Sequence, residues 1–165
     1  MSVYTLIMLK EMPKENLYEF TRQIVPCVGF NTRRVARLVT QYYDNALAPV
    51  GLRSTQYSLL SALSLMGEAP MQDLAFMLAM DRTTLTRNLS PLLKKGLVKV
   101  SVGKDRRYRP LTVTAKGKSA LEKALPYWQK AQSSILDKIG ADQWDQIMRG
   151  LHKISMIVEE NQEIK

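Results

Sequence analysis

Hydrophobic residues recur every three to four positions along most of the chain, which is the pattern of amphipathic helices. Prolines and glycines interrupt this pattern and divide it into separate segments. Six helices are predicted. The first four run from Ile24 to about Leu47, from near Ser54 to Gly67, from Met71 to about Ala79 and from Arg82 to Lys95. The fifth follows Thr114 and runs to about Ile139, and the sixth is marked by Ile147, Leu151, Ile154 and Ile157.

Three of these helices begin beside a residue that can act as an N-cap. Ser54, Asp81 and Thr114 each carry a side-chain oxygen that can accept a hydrogen bond from the free N–H groups of a first helical turn. Pro70 is suited to the start of the short third helix. On the fourth helix the spacing predicts an apolar face made of Leu85, Leu89, Leu92 and Leu93.

Between Gly96 and Thr114 the hydrophobic period changes from that of a helix to that of a strand. Residues 97–102 alternate and include several valines, and residues 111–113 resume the same pattern. The stretch between them, residues 103–109, is a basic turn. We therefore predict a mainly α fold with a small β-hairpin wing.

The third and fourth helices form a helix-turn-helix candidate, with the small Ala75 where the two helices have to pack closely. The opening turns of the fourth helix carry side chains that hydrogen-bond to base edges or phosphates. These residues are Arg82, Thr83, Thr84, Thr86, Arg87 and Asn88. The pattern favours a nucleic-acid-binding helix.

The charge distribution supports this interpretation. The 165-residue chain has a formal charge of +9, which attracts a polyanion. Much of the excess lies between Arg82 and Arg109, where Asp105 is the only acid. The basic residues of this segment are Arg82, Arg87, Lys94, Lys95, Lys99, Lys104, Arg106, Arg107 and Arg109.

The turn of the predicted hairpin is too basic to be stable without an anion, because like charges this close repel one another. Beside a recognition helix in the major groove, such a turn is placed to enter the adjacent minor groove, where A·T-rich DNA concentrates negative potential. Asp105 is then expected to orient one of the neighbouring arginines through a charge-assisted hydrogen bond.

The string from Asp105 to Gly117, DRRYRPLTVTAKG, closely resembles the wing and following helix start of MarR-type transcriptional regulators, with Val113 where leucine is usual. Residues 51–60 and 81–98 resemble the second helix and the recognition helix of the same family. The resemblance covers roughly Cys27 to the end of the chain. It implies an N-terminal arm and first dimerisation helix in residues 1–50, a winged helix-turn-helix region in 51–114 and C-terminal dimerisation helices in 115–165, all within one compact domain.

The resemblance also implies a homodimer that binds a near-palindromic duplex operator, with repression relieved by a small aromatic molecule or an oxidant. By this match Thr83, Thr84, Thr86 and Arg87 would face bases, and Arg107 would enter the minor groove. Gln56, Lys104 and Arg106 would hold phosphates. Pro91 departs from a regular recognition helix, because it removes one backbone hydrogen bond and is expected to bend the axis.

Two further sets of residues have both a functional and an ordinary interpretation. Cys27 is either a redox-sensing thiol or a plain buried thiol. Tyr43, Tyr57 and Trp128 either line a ligand pocket or belong to the core. His152 has no second potential ligand at metal spacing, so a structural role is expected.

Several other classes of protein are disfavoured by the composition. One cysteine and one histidine offer no recognisable nucleophile with its base, and no glycine-rich phosphate loop is present, so we expect no enzyme, no cofactor and no metal. We expect no targeting signal before the first helix, no apolar stretch approaches membrane-spanning length, and a reducing cytoplasm fits the single thiol. The alternative is a basic amphipathic module that binds a membrane surface or a protein without reading DNA sequence. Residues 1–20 are interpreted either as a helical arm or as a loose tail.

Overall fold

The computed structural model describes residues 26–101 and 109–163, most of which are helical, so the mainly α fold is confirmed. Its helices are α1 (Val28–Leu47), α2 (Ser54–Met66), α3 (Met71–Met77), α4 (Arg82–Lys94), α5 (Ala115–Ile139) and α6 (Ala141–Glu163), with a 3-10 turn at Ala48–Val50. Three short strands complete it: β1 (Glu68–Ala69), β2 (Val98–Val100) and β3 (Leu111–Val113).

The chain divides into two units, the first ending at Tyr42 and the second beginning at Tyr43. In the first unit the described residues form most of α1. Its large apolar side chains are all at least two-fifths exposed: Val28, Phe30, Val35, Leu38, Val39 and Tyr42. This part of α1 therefore presents an exposed apolar face.

The second unit has a single leucine-rich core. Helix α2 lies at its centre and packs against α3, α4, α5 and the sheet. The fully buried side chains come from nearly every element around it: Leu47, Leu59, Leu60, Leu63, Leu74, Leu85, Leu89, Leu92 and Leu111. Because burying a leucine side chain stabilises a protein by about 2 kcal/mol, these contacts hold the helix-turn-helix and the sheet together.

The wing strands form a three-stranded antiparallel sheet in the order β1-β3-β2. Val98 pairs with Val113, which confirms the predicted β-hairpin, although its turn lies outside the described residues. Strand β1 pairs Ala69 with Leu111 and was not predicted. Two residues are too few to show a hydrophobic period.

Helix α5 begins against the base of this sheet. Thr114 is its N-cap, as predicted, since its hydroxyl accepts a hydrogen bond from the Gly117 N–H at 3.0 Å. The Thr114 N–H donates to the Leu97 carbonyl at 3.0 Å, and the Lys116 ammonium donates to the Lys95 carbonyl at 2.8 Å. The start of α5 is therefore tied to the segment that leads into β2.

Some local predictions were wrong. The N-cap of α2 is Arg53 rather than Ser54, and the Ser54 N–H donates to the Asp44 carboxylate at 2.6 Å. Helix α3 stops at Met77, because Ala79 has a φ of +49° and no longer follows a right-handed helix.

Two leucines of the predicted helices are exposed, and one of them, Leu93, was assigned to the apolar face of the fourth helix. Leu65 is 79% exposed and Leu93 is 37% exposed. Leu65 lies two positions after the buried Leu63, about 200° round the helix, and Leu93 lies about 100° from the buried Leu92. No helix within the described ranges is both long enough and apolar enough to cross a membrane.

Candidate nucleic-acid interface

The start of α4 is held by the side chain of Asp81, the predicted N-cap. One carboxylate oxygen accepts a hydrogen bond from the Thr84 N–H at 2.8 Å, and the other accepts one from the Thr84 hydroxyl at 2.6 Å. Both bonds hold the pKa of Asp81 below its usual range, and the bond from the Thr84 hydroxyl has the larger effect. A charged cap at this position also interacts favourably with the positive end of the helix dipole.

The turn between α3 and α4 is short, and buried leucines of both helices flank it. The Met80 N–H donates to the Ala75 carbonyl at 2.9 Å, and Ala79 between them takes up the left-handed conformation. Leu74 and Leu85 are fully buried on either side of the turn. The two helices therefore pack against the same core, which confirms the predicted helix-turn-helix.

The outer face of α4 carries four of the predicted DNA-binding residues. Arg82, Thr83, Thr86 and Arg87 are exposed, and together with Ser90 and Pro91 they line an open hollow of about 580 Å³. Within the described ranges, neither arginine of this face forms an ion pair. The Thr86 hydroxyl donates to the Arg82 carbonyl at 2.7 Å. We call this surface the α4 face.

A second, smaller hollow lies between the two helices of the motif. It has a volume of about 360 Å³ and is lined by Met71, Gln72 and Ala75 of α3 and by Arg82 of α4. Arg82 thus borders both hollows. The Thr86 hydroxyl lies 3.8 Å from the Met71 sulfur and links the two helices beside this hollow. We call it the α3–α4 hollow.

Other predicted site residues are placed differently from the α4 face. Thr84 is partly buried, and its hydroxyl is engaged by Asp81. Asn88 is also partly buried, and its amide lies 3.7 Å from the Met80 sulfur. Gln56 is partly buried in the first turn of α2, where its carbonyl oxygen accepts a hydrogen bond from the Arg53 N–H at 3.2 Å.

The wing tip lies outside the described residues, and with it the predicted Lys104, Asp105, Arg106 and Arg107. Two residues that line the hollows, Gln72 and Ser90, were missed by the sequence analysis. Gln72 is preceded by Met71 and lies three positions before Ala75. A helical wheel puts these three residues close together on α3, but only the packing of α3 against α4 brings them beside Arg82.

Pro91 lies inside α4, and the helix continues past it to Lys94. Its side chain is exposed at one end of the α4 face. Leu89 and Leu92 remain buried against the core on the opposite side of the helix.

The aromatic residues considered for a ligand pocket are close to one another. The rings of Tyr57 and Trp128 are stacked, with centroids 5.9 Å apart and an interplanar angle of 22°. The Tyr43 hydroxyl donates to the side-chain oxygen of Gln132, one turn after Trp128 on α5. Burial raises the pKa of Tyr57, although a hydrogen bond with Ser61 opposes this effect.

The thiol of Cys27 is exposed, so the interpretation as a plain buried thiol was wrong. Its sulfur accepts a hydrogen bond from the Phe30 N–H at 3.5 Å in the first turn of α1. Among the described residues, no three histidine, cysteine, aspartate or glutamate side chains are grouped as a metal site would require.

Comparison with known proteins places this geometry among transcriptional regulators. A MarR family model matches residues 50–107. The transcriptional regulator MosR of M. tuberculosis, solved in complex with DNA, is 40% identical, with 81% of this chain and 97% of that chain covered and a TM-score of 0.74. A second crystal structure of MosR is 37% identical over 82% of this chain and 97% of that chain, with a TM-score of 0.71. An uncharacterized HTH-type transcriptional regulator of Bacillus subtilis, YwaE, is 26% identical over 89% of this chain and 84% of its own length.

Proposed function

Because the chain belongs to the MarR family of transcriptional regulators, we propose that it is a repressor that reads duplex DNA with helix α4. The observation that carries this proposal is the chemistry of the α4 face. Arg82, Arg87 and two threonines are exposed on one side of a helix whose other side is buried leucine. Such a helix has a rigid support and a hydrogen-bonding outer surface, which are the two requirements for contacting base edges in the major groove.

We assign separate roles to the residues of this surface. Thr83, Thr86 and Arg87 are expected to contact bases, and arginine pairs best with guanine through two hydrogen bonds. Thr84 is also expected to face the bases, but its hydroxyl donates to Asp81, so the hydroxyl can only accept a hydrogen bond from the DNA and its methyl group can make an apolar contact. Gln56 retains two amide hydrogens with which to contact a phosphate.

The wing is expected to bind beside the major-groove contact. Arg107 would enter the minor groove, and Lys104 and Arg106 would contact phosphates, while Asp105 orients an arginine. These roles rest on the basic sequence of the turn and on the position of β2 beside α4. A turn with this charge is stabilised by the polyanion that it binds.

The protein is proposed to act as a homodimer on a near-palindromic operator. Helix α6 exposes Ile147, Leu151, Ile154 and Ile157 at helical spacing, and α1 exposes its own apolar residues in the first unit. Exposed apolar faces of this extent are characteristic of subunit interfaces. Two-fold symmetry would then place two half-sites about one helical turn, roughly 10 base pairs, apart.

We further propose that DNA binding is released by a small aromatic molecule or by an oxidant. The stacked pair of Tyr57 and Trp128, with Tyr43 near it, offers aromatic surface to a small aromatic molecule. The exposed Cys27 offers a thiol that an oxidant can modify. In this scheme residues 1–50 and 115–165 serve dimerisation, and residues 51–114 bind DNA.

The protein is proposed to be a binding protein and not an enzyme, because its similar proteins are transcriptional regulators. We also propose that it works in the cytoplasm, where bacterial DNA is found. No membrane partner, cofactor or metal is required for the proposed activity.

The proposed function is tested by letting the purified protein select its preferred sequences from a pool of random duplex DNA. We expect enrichment of a near-palindrome with half-sites about 10 base pairs apart. The control is the same selection with Arg82→Ala/Arg87→Ala, which removes both arginines of the α4 face and should abolish the enrichment. Recovery of unrelated sequences by the wild-type protein would contradict the proposal and favour charge-driven association alone.

A further inference from the structure

The α3–α4 hollow is lined by polar and charged side chains whose function is not explained by base contacts from α4. It is lined by four residues, whose side chains carry an amide (Gln72), a thioether (Met71), a methyl group (Ala75) and a guanidinium (Arg82). Gln72 and Arg82 are both exposed, and within the described ranges neither side chain is engaged by another. The hollow is therefore lined by side chains that carry hydrogen-bond donors and one positive charge, together with two apolar side chains.

We propose that the α3–α4 hollow binds a backbone phosphate of the DNA, with Gln72 as a phosphate-positioning residue that acts together with Arg82. This inference rests on the proposed function, and it adds a residue of the first helix of the motif to the DNA contacts. It also assigns Arg82 to the DNA backbone and leaves base reading to Thr83, Thr86 and Arg87.

The position of Arg82 supports this division of roles. Its side chain borders the α4 face on one side and the α3–α4 hollow on the other. In helix-turn-helix proteins the second helix enters the major groove while the first crosses the sugar–phosphate backbone. A residue on the border between the two helices therefore meets the edge of the groove, where the phosphates are.

The chemistry of the hollow also favours a phosphate. Guanidinium groups bind phosphate oxygens with charge-assisted hydrogen bonds, and a glutamine amide donates two more hydrogens without adding charge. Ala75, which also lines the hollow, occupies little space because its side chain is a single methyl group. Asp73, the neighbouring acid on α3, does not line the hollow.

A charge added at residue 72 should therefore change the affinity for any DNA duplex without changing the preference between base sequences. Gln72→Lys should tighten binding to the selected operator and to an unrelated duplex by the same factor. It should also make the dependence of log affinity on log salt steeper by about 0.9, the value for one additional phosphate contact. Gln72→Glu should weaken binding to both duplexes, and Gln72→Ala should weaken both by about fivefold, the loss of one hydrogen bond.

The test is fluorescence anisotropy titration of both duplexes over a series of salt concentrations. Gln129→Lys, on the exposed surface of α5, is the matched control, because it adds the same charge away from both hollows. The inference is overturned if Gln72→Lys has the salt dependence of Gln129→Lys, or if Gln72→Ala changes the preference between the two duplexes. The proposed function fails in a different way, through loss of sequence preference in the wild-type protein.

Discussion

A β-carbon on Gly117 would lie 2.1 Å from the carbonyl oxygen of Leu97, so the first turn of α5 lies directly against the chain that enters the wing. Gly117 is buried, and its N–H donates to the Thr114 hydroxyl, which in turn lies 2.8 Å from the Gly96 carbonyl. The residues that lead into β2 and the first turn of α5 are thus held together by close packing and by hydrogen bonds.

Gly117→Ala is expected to lower the free energy of unfolding by about 3 kcal/mol, because the new methyl group has to displace backbone and not only a flexible side chain. Urea denaturation of the two proteins measures the difference. Lys118→Ala is the matched control, since Lys118 is the next residue of α5 and is exposed, and it should change stability by less than about 0.5 kcal/mol. Equal stability of Gly117→Ala and Lys118→Ala would contradict the close approach.

Ala79 in the helix-turn-helix is the only described residue other than glycine with a positive φ. Left-handed backbone costs a residue with a β-carbon about 1 kcal/mol relative to glycine. Ala79→Gly should therefore stabilise the protein, by up to about 1 kcal/mol once the greater freedom of glycine in the unfolded chain is subtracted. Thermal and urea denaturation give the difference.

Ala75→Gly is the control for this substitution, because Ala75 lies inside α3 with right-handed backbone, where glycine costs about 1 kcal/mol. The two substitutions should change stability in opposite directions. A loss of stability in Ala79→Gly similar to that in Ala75→Gly would show that the turn does not strain residue 79.

The cap of α4 should make stability depend on pH through Asp81. Its pKa is lower in the folded protein, so the ionised carboxylate contributes stability above its unfolded pKa, near 3.9, and the contribution is lost as pH falls through the folded pKa. Asp81→Asn keeps a capping oxygen but cannot ionise. The difference in unfolding free energy between wild type and Asp81→Asn should be largest at neutral pH and should shrink below about pH 4. A difference that stays constant over this range would exclude a role for the charge.

Arg87→Ala should weaken operator binding by about 1 to 3 kcal/mol and relax the preference at a single base pair. The expected cause is the loss of a side chain that reaches base edges from the α4 face. Affinities for a set of operators with single base-pair changes measure both effects. Arg149→Ala, on the exposed surface of α6, removes the same charge away from the α4 face and should leave the preference unchanged. A uniform loss over all operators would instead assign Arg87 to a phosphate.

The parts of the fold that could be predicted from sequence are those controlled by local chemistry. Asp81 and Thr114 are both N-caps, because a capping side chain bonds to a backbone N–H only three residues away. Leu85, Leu89 and Leu92 share a buried face because helix geometry alone relates them. The helix-turn-helix and the hairpin followed from such signals.

The parts that could not be predicted depend on contacts distant in sequence. Ser54 does not cap α2, because the helix begins at Ser54 itself, after Arg53, and the Ser54 N–H is bound by the carboxylate of Asp44 ten residues earlier. Strand β1 exists only because Ala69 pairs with Leu111, which lies on the far side of α3 and α4 in the chain. The role of Gln72 likewise became visible only when α3 was placed beside Arg82.

The most direct test of sequence-specific binding is the affinity of the purified protein for its selected near-palindrome and for a scrambled duplex of the same length and composition, both measured over a salt series. We predict that the selected duplex binds at least about a thousandfold more tightly, and that both affinities fall steeply with salt because both include phosphate contacts. Equal affinities with the same salt dependence would contradict the account, since the α4 face would then contribute charge but no recognition of bases.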